Sequence, residues 1–392
     1  MARTVKHDWP MVRLGDVCEV VSGGTPKTSV AEYWDGEIPW VTPADLSKLK
    51  GLELFAGARA ITQRGVDKSS AVLLPTGSVV LSSRAPIGYV AITQVPMATN
   101  QGCKSFIPSP EVDARYLAYH LLSQKDVLQS LGTGATFKEL SKSRAADIRI
   151  PLPPLEEQRC IAAILDEVHS ALVRVDQSLA GLLQLKQELF TASFLEGQRE
   201  SITVGEYLES TQYGTSDKAN ENFGIPILRM GNVSYSGEID LSDLKYVELG
   251  AKEREKYSLK AGDLLFNRTN SKDLVGKTAV VPALEGEHTF AGYLIRCRVN
   301  DKAVPEYVSG FLNSVLGKKI LRNTAKAIVG MANINANELK RVPIPKASLD
   351  EQQEFASSIS RIEDVESQMK RQRELLQELQ VSLSVRAFQG EL

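Results

Sequence analysis

Cysteine is scarce in this chain and never clustered: Cys18, Cys103, Cys160 and Cys297 stand alone. With no Cys-x-x-Cys pair and only four histidines, neither a zinc site nor a disulfide framework is expected. The thiols read as ordinary buried side chains, and no metal is expected. Long apolar runs are missing too. No stretch approaches the roughly 18 apolar residues that a membrane-crossing helix requires, and Met1 to Pro10 has no apolar leader core. A cytoplasmic location is expected. Catalytic signatures are equally thin. We find no Gly-x-x-x-x-Gly-Lys-Ser/Thr phosphate loop, no glycine-rich cofactor loop after a strand, no Asn/Asp-Pro-Pro-aromatic motif of amino-group methylation and no histidine triad. Glu338-Leu339-Lys340 has the Glu-x-Lys spacing of some nucleases, but without a convincing upstream Asp it reads as chance. The expectation is a chain with no catalytic residues and no cofactor of its own.

What is present fits a globular protein of more than one domain. The 392 residues are 43% hydrophobic and 24% charged, and that length favours two or three domains. The net charge of −2 is unevenly spread. Residues 1–150 hold 17 basic against 14 acidic side chains, and residues 201–345 hold 19 against 17. Residues 151–200 hold 4 against 8, and residues 346–392 hold 6 against 9. Two slightly positive segments thus alternate with two short acidic ones.

The alternation follows an internal repeat. Ile150-Pro151-Leu152-Pro153-Pro154-Leu155-Glu156-Glu157-Gln158 returns as Ile344-Pro345-Lys346-Ala347-Ser348-Leu349-Asp350-Glu351-Gln352, at an offset of 194 residues. Phe194 and Phe388 keep the same offset. Looser echoes join Val12-Arg13-Leu14-Gly15-Asp16 to Ile202-Thr203-Val204-Gly205-Glu206, Ile38-Pro39-Trp40 to Ile225-Pro226-Ile227, and Thr76-Gly77-Ser78-Val79-Val80 to Ala261-Gly262-Asp263-Leu264-Leu265. Their offsets of 190, 187 and 185 mean that the frame repeats while the loops differ in length. The boundaries expected are a globular unit at 1–152, a long helix at 153–198, a second globular unit at 199–346 and a second long helix at 347–392.

After each proline-rich junction an amphipathic pattern begins. Ile161, Leu165, Val168, Leu172, Val175, Leu179, Leu182 and Leu189 step by alternating fours and threes, with Lys186 in the one missing place, which is a coiled-coil seam. Phe355, Ile359, Ile362, Met369, Leu376, Leu379 and Leu383 mark a less regular partner stripe. A helix of some 40 residues is about 60 Å long and cannot bury such a stripe alone, so the two are expected to pair antiparallel as a spacer. Apolar residues off the seam are candidates for docking other subunits: Leu183, Phe190 and Phe194 on the first helix, and Val365, Leu375 and Phe388 on the second.

Both globular units mix short apolar runs with Gly, Pro, Ser, Thr and Asn. Ser78 to Leu81, Tyr89 to Ile92 and Thr278 to Val281 read as strands, and 115–130 and 306–323 as helices, giving α+β units with long loops. Those loops carry candidate DNA contacts. In the first unit they are Lys27, Thr28, Ser83, Arg84, Asn100, Gln101, Thr136 and Lys138. In the second they are Thr215, Lys218, Arg229, Asn232, Arg268, Asn270, Lys272, Lys326 and Asn333. Arginine can pair with a guanine edge and Asn or Gln with adenine, while Lys, Ser and Thr hold phosphates. Arg84 and Arg268 stand out, each following the second repeated strand at a matching place.

Two variable globular units alternating with two similar long helices, the junctions at 150–158 and 344–352, and Ala-Phe-Gln-Gly-Glu-Leu at 387–392 resemble the specificity (S) subunit of type I restriction-modification systems. Ser-Gly-Gly-Thr-Pro at 22–26, Ile-Pro-Trp-Val-Thr-Pro-Ala-Asp-Leu at 38–46 and Ser-Ser-Arg-Ala-Pro-Ile-Gly-Tyr-Val-Ala at 82–91 support the likeness, which covers the whole chain. The second unit lacks the Gly-Gly-Thr-Pro and Pro-Trp-Val stretches. The resemblance implies two pseudo-symmetric target recognition domains separated by two long antiparallel coiled-coil helices, each domain reading half of a bipartite site in double-stranded DNA. It further implies two modification (methyltransferase) subunits bringing S-adenosylmethionine, and restriction (motor-nuclease) subunits using ATP and Mg. Two alternatives stay open at this point: a specificity subunit of a related system with a fused methyltransferase-nuclease partner, and a non-specific DNA-binding or protein scaffold.

Overall fold

The computed structural model describes residues 9–84, 86–134, 138–328 and 331–392. They fall into two compact units, the first made of residues up to 177 together with 370–392, the second of residues 178–369. Each unit therefore holds one globular domain plus half of each long helix, Leu155–Phe190 and Leu349–Phe388.

In the first unit a five-stranded sheet has the spatial order Cys18–Ser22, Cys103–Pro108, Val79–Ser83, Ile87–Thr93 and Glu53–Leu54. Beside it a smaller sheet centres on Trp34–Val41, which runs parallel to Ala98–Thr99 and antiparallel to Arg59–Ile61. A third pairing closes the domain at the helix root: Val12 lies opposite Ile150, so the proline-rich junction starts as a strand. Phe106, Tyr116 and Leu117 share one core with Ile161, Ala162 and Leu165 of the first long helix and Ala387 of the second. His120 is buried there, its ring edge-on to Phe388, and burial pulls its pKa down to about 4.

The second unit repeats the order with different lengths. Its main sheet runs Leu208–Tyr213, Leu294–Val299, Leu264–Asn267 and Thr278–Val280. Ile225–Leu228 pairs parallel with Thr289–Phe290 and antiparallel with Lys245–Val247, and Ile202 lies opposite Ile344 at the helix root. The repeat is visible at single residues. Gly77 and Gly262 both have φ of +85° and donate their N–H groups to Thr93 and Val281. An L side chain is strained in that left-handed turn, which is why the glycine recurs.

The repeated glutamine explains the junction motif. Gln158 is fully buried; its Nε2 donates to the carbonyls of Glu111 and Pro153, and its Oε1 accepts the Asp113 N–H at 2.8 Å. Gln352 does the same for Lys302, Ala347 and Val304. One buried amide thus satisfies three backbone groups, one buried and two part-buried, where each long helix leaves its domain. The helices start differently. The Pro154 and Ser348 carbonyls accept the same first helical bonds, from Gln158 and Gln352, but proline has no side-chain acceptor to add, whereas Ser348 and Glu351 form a reciprocal capping box on the second.

Within the first unit the halves pair antiparallel: Arg373 meets Asp176 at 2.6 Å and Gln380 meets His169. Ile161, Leu165, Val168, Leu172 and Val175 are all buried. Within the second unit the pairing is again antiparallel, but Lys186 stands in the stripe and binds Glu366 at 2.7 Å, with Glu363 and Glu238 also near. Three expectations need correction. The helices expected at 115–130 and 306–323 are each two, breaking after Ser123 and at Ser314, whose hydroxyl caps the second piece by accepting the Gly317 N–H. Cys160 is exposed, while Cys18, Cys103 and Cys297 are buried, burial raising each thiol to about 12. Phe190 and Phe194 are buried and not free to dock a partner, and Phe388 is half-buried. Phe190 is 1% exposed and packs with Phe194 against Tyr307 and Phe355, and Phe388 packs on Tyr116 and His120.

Candidate nucleic-acid interface

In the first unit backbone contacts gather the candidate loops. Gly24 donates to the Thr99 carbonyl and Gly23 to that of Cys103, while the Trp40 and Trp34 indoles donate to the carbonyls of Gly24 and Lys27. A Cβ on Gly24 would lie 2.2 Å from the Ser70 backbone, so the Ser-Gly-Gly-Thr-Pro stretch is built for close approach. Thr25 then hydrogen-bonds the Gln101 side chain at 2.6 Å, and Asn100 Oδ1 accepts the Gly102 N–H. Lys27, Thr28, Gln101 and Lys138 are exposed around this turn, with Arg84 and Asn100 half-buried. Thr136 lies outside the described residues.

Beneath the turn sits a group that sequence reading missed. Lys104, 6% exposed, directs its ammonium to Ser83 Oγ, the Gln101 carbonyl and Glu139 Oε1, at 3.3 to 3.4 Å. Glu139 Oε2 also faces Arg84 at 3.8 Å. A lysine inside the strand Cys103–Pro108 was the signal, because a charge among buried positions needs a partner. Ser83 is fully buried under this lysine, which corrects its reading as a groove contact.

In the second unit the Arg268 guanidinium lies over the Tyr213 ring, 4.8 Å from its centroid, and approaches Asn333 Oδ1 at 3.4 Å. Asn333 in turn donates to Thr269 Oγ1 at 2.6 Å. Lys326 pairs with Glu338 at 2.6 Å while staying largely exposed. That ion pair and the Asn335 backbone hold the Glu338 carboxyl below its usual range, giving Glu338 a structural use. Lys218 and Lys272 are exposed, and Asn270 half-buried. Arg229 binds Asp243 at 2.9 Å. Two expectations fail on burial. The Asn232 amide is consumed by its own turn, accepting from Arg229 N and donating to the carbonyls of Asp240 and Asp243, and the buried Thr215 hydroxyl is bound to Asp217. Behind this surface Lys318 is brought down to about 7 by burial first, with Lys277 and Arg322 adding repulsion.

The strand registers align the units one residue at a time. Val79 to Ser82 oppose Phe106 to Cys103, and Leu264 to Asn267 oppose Cys297 to Leu294. Ser83 then donates to the Gly102 carbonyl and accepts from Leu140, as Arg268 donates to Tyr293 and accepts from Ile334. Arg268 is therefore equivalent to Ser83, and Arg84 to Thr269. The matching place read from sequence was one residue out, so the two arginines do not occupy equivalent positions.

Among the described residues, no group of three His, Cys, Asp or Glu could hold a metal ion, and no helix is long and apolar enough to cross a membrane. The two units thus share an α+β frame with matched registers and carry unlike polar loops on it. The chain belongs to the type I restriction modification DNA specificity domain family, whose model matches residues 6–179 and again 200–378. It is 37% identical over 195 residues to the type I restriction enzyme MjaIX specificity subunit of Methanocaldococcus jannaschii, a match covering 49% of this chain and 45% of that protein. The chain thus spans just under half the length of that relative. Over 341 residues it is 27% identical to the EcoKI specificity subunit of Escherichia coli K12, covering 79% of this chain and 73% of that one. In fold it is similar to the crystal structure of the type I restriction-modification S subunit from M. genitalium, with a TM-score of 0.57, 14% identity and coverage of 99% and 98%.

Proposed function

We propose that this chain is the DNA-reading specificity subunit of a type I restriction-modification enzyme. It recognises a bipartite duplex site, each globular domain reading one half, and it directs the modification and restriction subunits there without catalysing a step itself. The observation that carries this reading is that equivalent register positions hold different polar side chains in the two units, Arg84 and Glu139 against Thr269 and Asn333. A duplication that merely enlarged a fold has no reason to keep the frame and vary these positions; two readers of different sequences do.

Arg84, Asn100, Gln101, Arg268 and Asn333 are the candidate base-edge contacts, and Lys27, Thr28, Lys138, Lys218, Asn270, Lys272 and Lys326 the candidate phosphate contacts. Arg229 keeps a positioning contact with Asp243. Two modification subunits dock on the helices, where Leu183, Val365 and Leu375 are 37%, 41% and 58% exposed. S-adenosylmethionine, ATP and Mg belong to the partner subunits, and the assembly works in the cytoplasm. The paired helices set the gap between half-sites.

The test is co-expression with the modification subunit of its system in a host lacking other adenine methylation, followed by genome-wide mapping of N6-methyladenine. A split motif with a fixed gap, lost when this chain is omitted, is the expected result. A folded, co-purifying complex that leaves DNA unmethylated contradicts it.

A further inference from the structure

Residues 139 and 333 occupy the same node of the two units. Glu139 bridges to Arg84 on one side and Thr133 on the other; Asn333 pairs with Thr269 and Lys326. The following residues, Leu140 and Ile334, donate to the equivalent carbonyls of Ser83 and Arg268. Backbone at both nodes is thus held from two sides, by a three-stranded sheet at Asn333 and by two isolated bridges at Glu139, so its geometry is set before any ligand arrives.

The chemistry at the node differs. A carboxylate on a surface that must approach phosphates is repelled by them. Here Lys104 cancels that charge from below through Glu139 Oε1. Glu139 Oε2 faces Arg84 at 3.8 Å, beyond hydrogen-bonding distance, and the side chain is 42% exposed. The result is an acceptor with spare capacity beside a guanidinium that it positions without saturating. Asn333 offers a carboxamide instead, oriented by Arg268 and Thr269 but with one amide proton and one lone pair left over.

Resting on the reading of the chain as a split-site reader, we propose that Glu139 and Asn333 are equivalent base-discriminating residues: Glu139 accepts from a cytosine amino group, and Asn333 pairs with an adenine edge. A carboxylate has no proton to give, so it rejects the guanine and thymine carbonyls that a carboxamide can meet.

The test compares N6-methyladenine maps of the co-expressed complex for the unaltered chain, Glu139→Gln and Asn333→Asp. Glu139→Gln loses about tenfold or more of the preference at one position of one half-site, with the other half-site and the gap unchanged; Asn333→Asp does the same in the other half-site. If the unaltered chain yields no split motif, the specificity-subunit reading itself fails. If a split motif appears and both variants keep every position's preference, this inference is overturned and the reading stands. Methylation that falls evenly at all sites assigns the side chains to folding and likewise overturns it.

Discussion

The two units hold their halves of the same helices by different means, and the difference shows what a seam pattern conveys. In the first unit five consecutive stripe positions are aliphatic and buried, and regular packing is joined there by polar contacts at its edge, Arg373 with Asp176 and Gln380 with His169. In the second the stripe is interrupted by Lys186, whose ammonium is taken up by Glu366 and Glu363, and the grip comes instead from Phe190, Phe194 and Phe355 around Tyr307. Gly310 makes room for this cluster, since a Cβ there would lie 2.9 Å from both Phe190 and Phe355. One half of the helix pair is a zipper; the other is an aromatic anchor with an ionic latch.

The largest effect expected is at that anchor. Phe190→Ala removes a fully buried ring and costs about 3–5 kcal/mol, read as a lower denaturant midpoint for the second unit with the first unit's transition unmoved. A single shared transition would show instead that the units unfold together. Next comes the amide clamp: Gln158→Leu strands one buried and two part-buried backbone groups and destabilises the first unit by roughly 2–3 kcal/mol, and Gln352→Leu should match it in the second. Unequal costs measured by chemical unfolding would break the proposed equivalence.

A smaller, pH-dependent effect centres on His120 in the first unit. His120 is held neutral, with its pKa lowered from 6.5 to about 4 by burial. Between those values the unfolded chain binds more protons, so stability rises with pH and is lost as pH falls. About 2 kcal/mol should be missing at pH 5 relative to pH 7, and His120→Leu should abolish that share of the pH dependence; an unchanged profile would place the acid sensitivity elsewhere. Smallest in stability is Leu375→Gln, within about 0.5 kcal/mol because the side chain is exposed. Its expected consequence is weaker co-purification of the modification subunit, and undiminished recovery would remove Leu375 from the docking surface.

Much of the frame was legible because it was written twice. The junction motif, the first five positions of the seam and the paired glycines carry their meaning in local spacing, and burial and register followed it; Leu379, read into the second stripe, is 45% exposed. The loops did not read out as well. Whether Asn232 has a free edge depends on carbonyls eight and eleven residues away, and whether Ser83 faces a groove depends on Lys104 crossing from the neighbouring strand. Phe190 and Phe194 lie off the seam that the first helix presents to its partner helix. The first helix also packs on the globular domain of its own unit, through Tyr307 and Phe311, so off-seam positions there are core. Glu139 is a carboxylate among basic loop residues, and nothing in its local sequence marks it as the equivalent of Asn333.

The central claim is that two separable readers share one frame, and exchanging residues 1–152 for the corresponding domain of a homologue of known specificity tests it most directly. Methylation mapping of the hybrid complex should show one half-site replaced, the other retained and the gap unchanged. Alteration of both half-sites, or of neither in a complex that still methylates, would contradict the account.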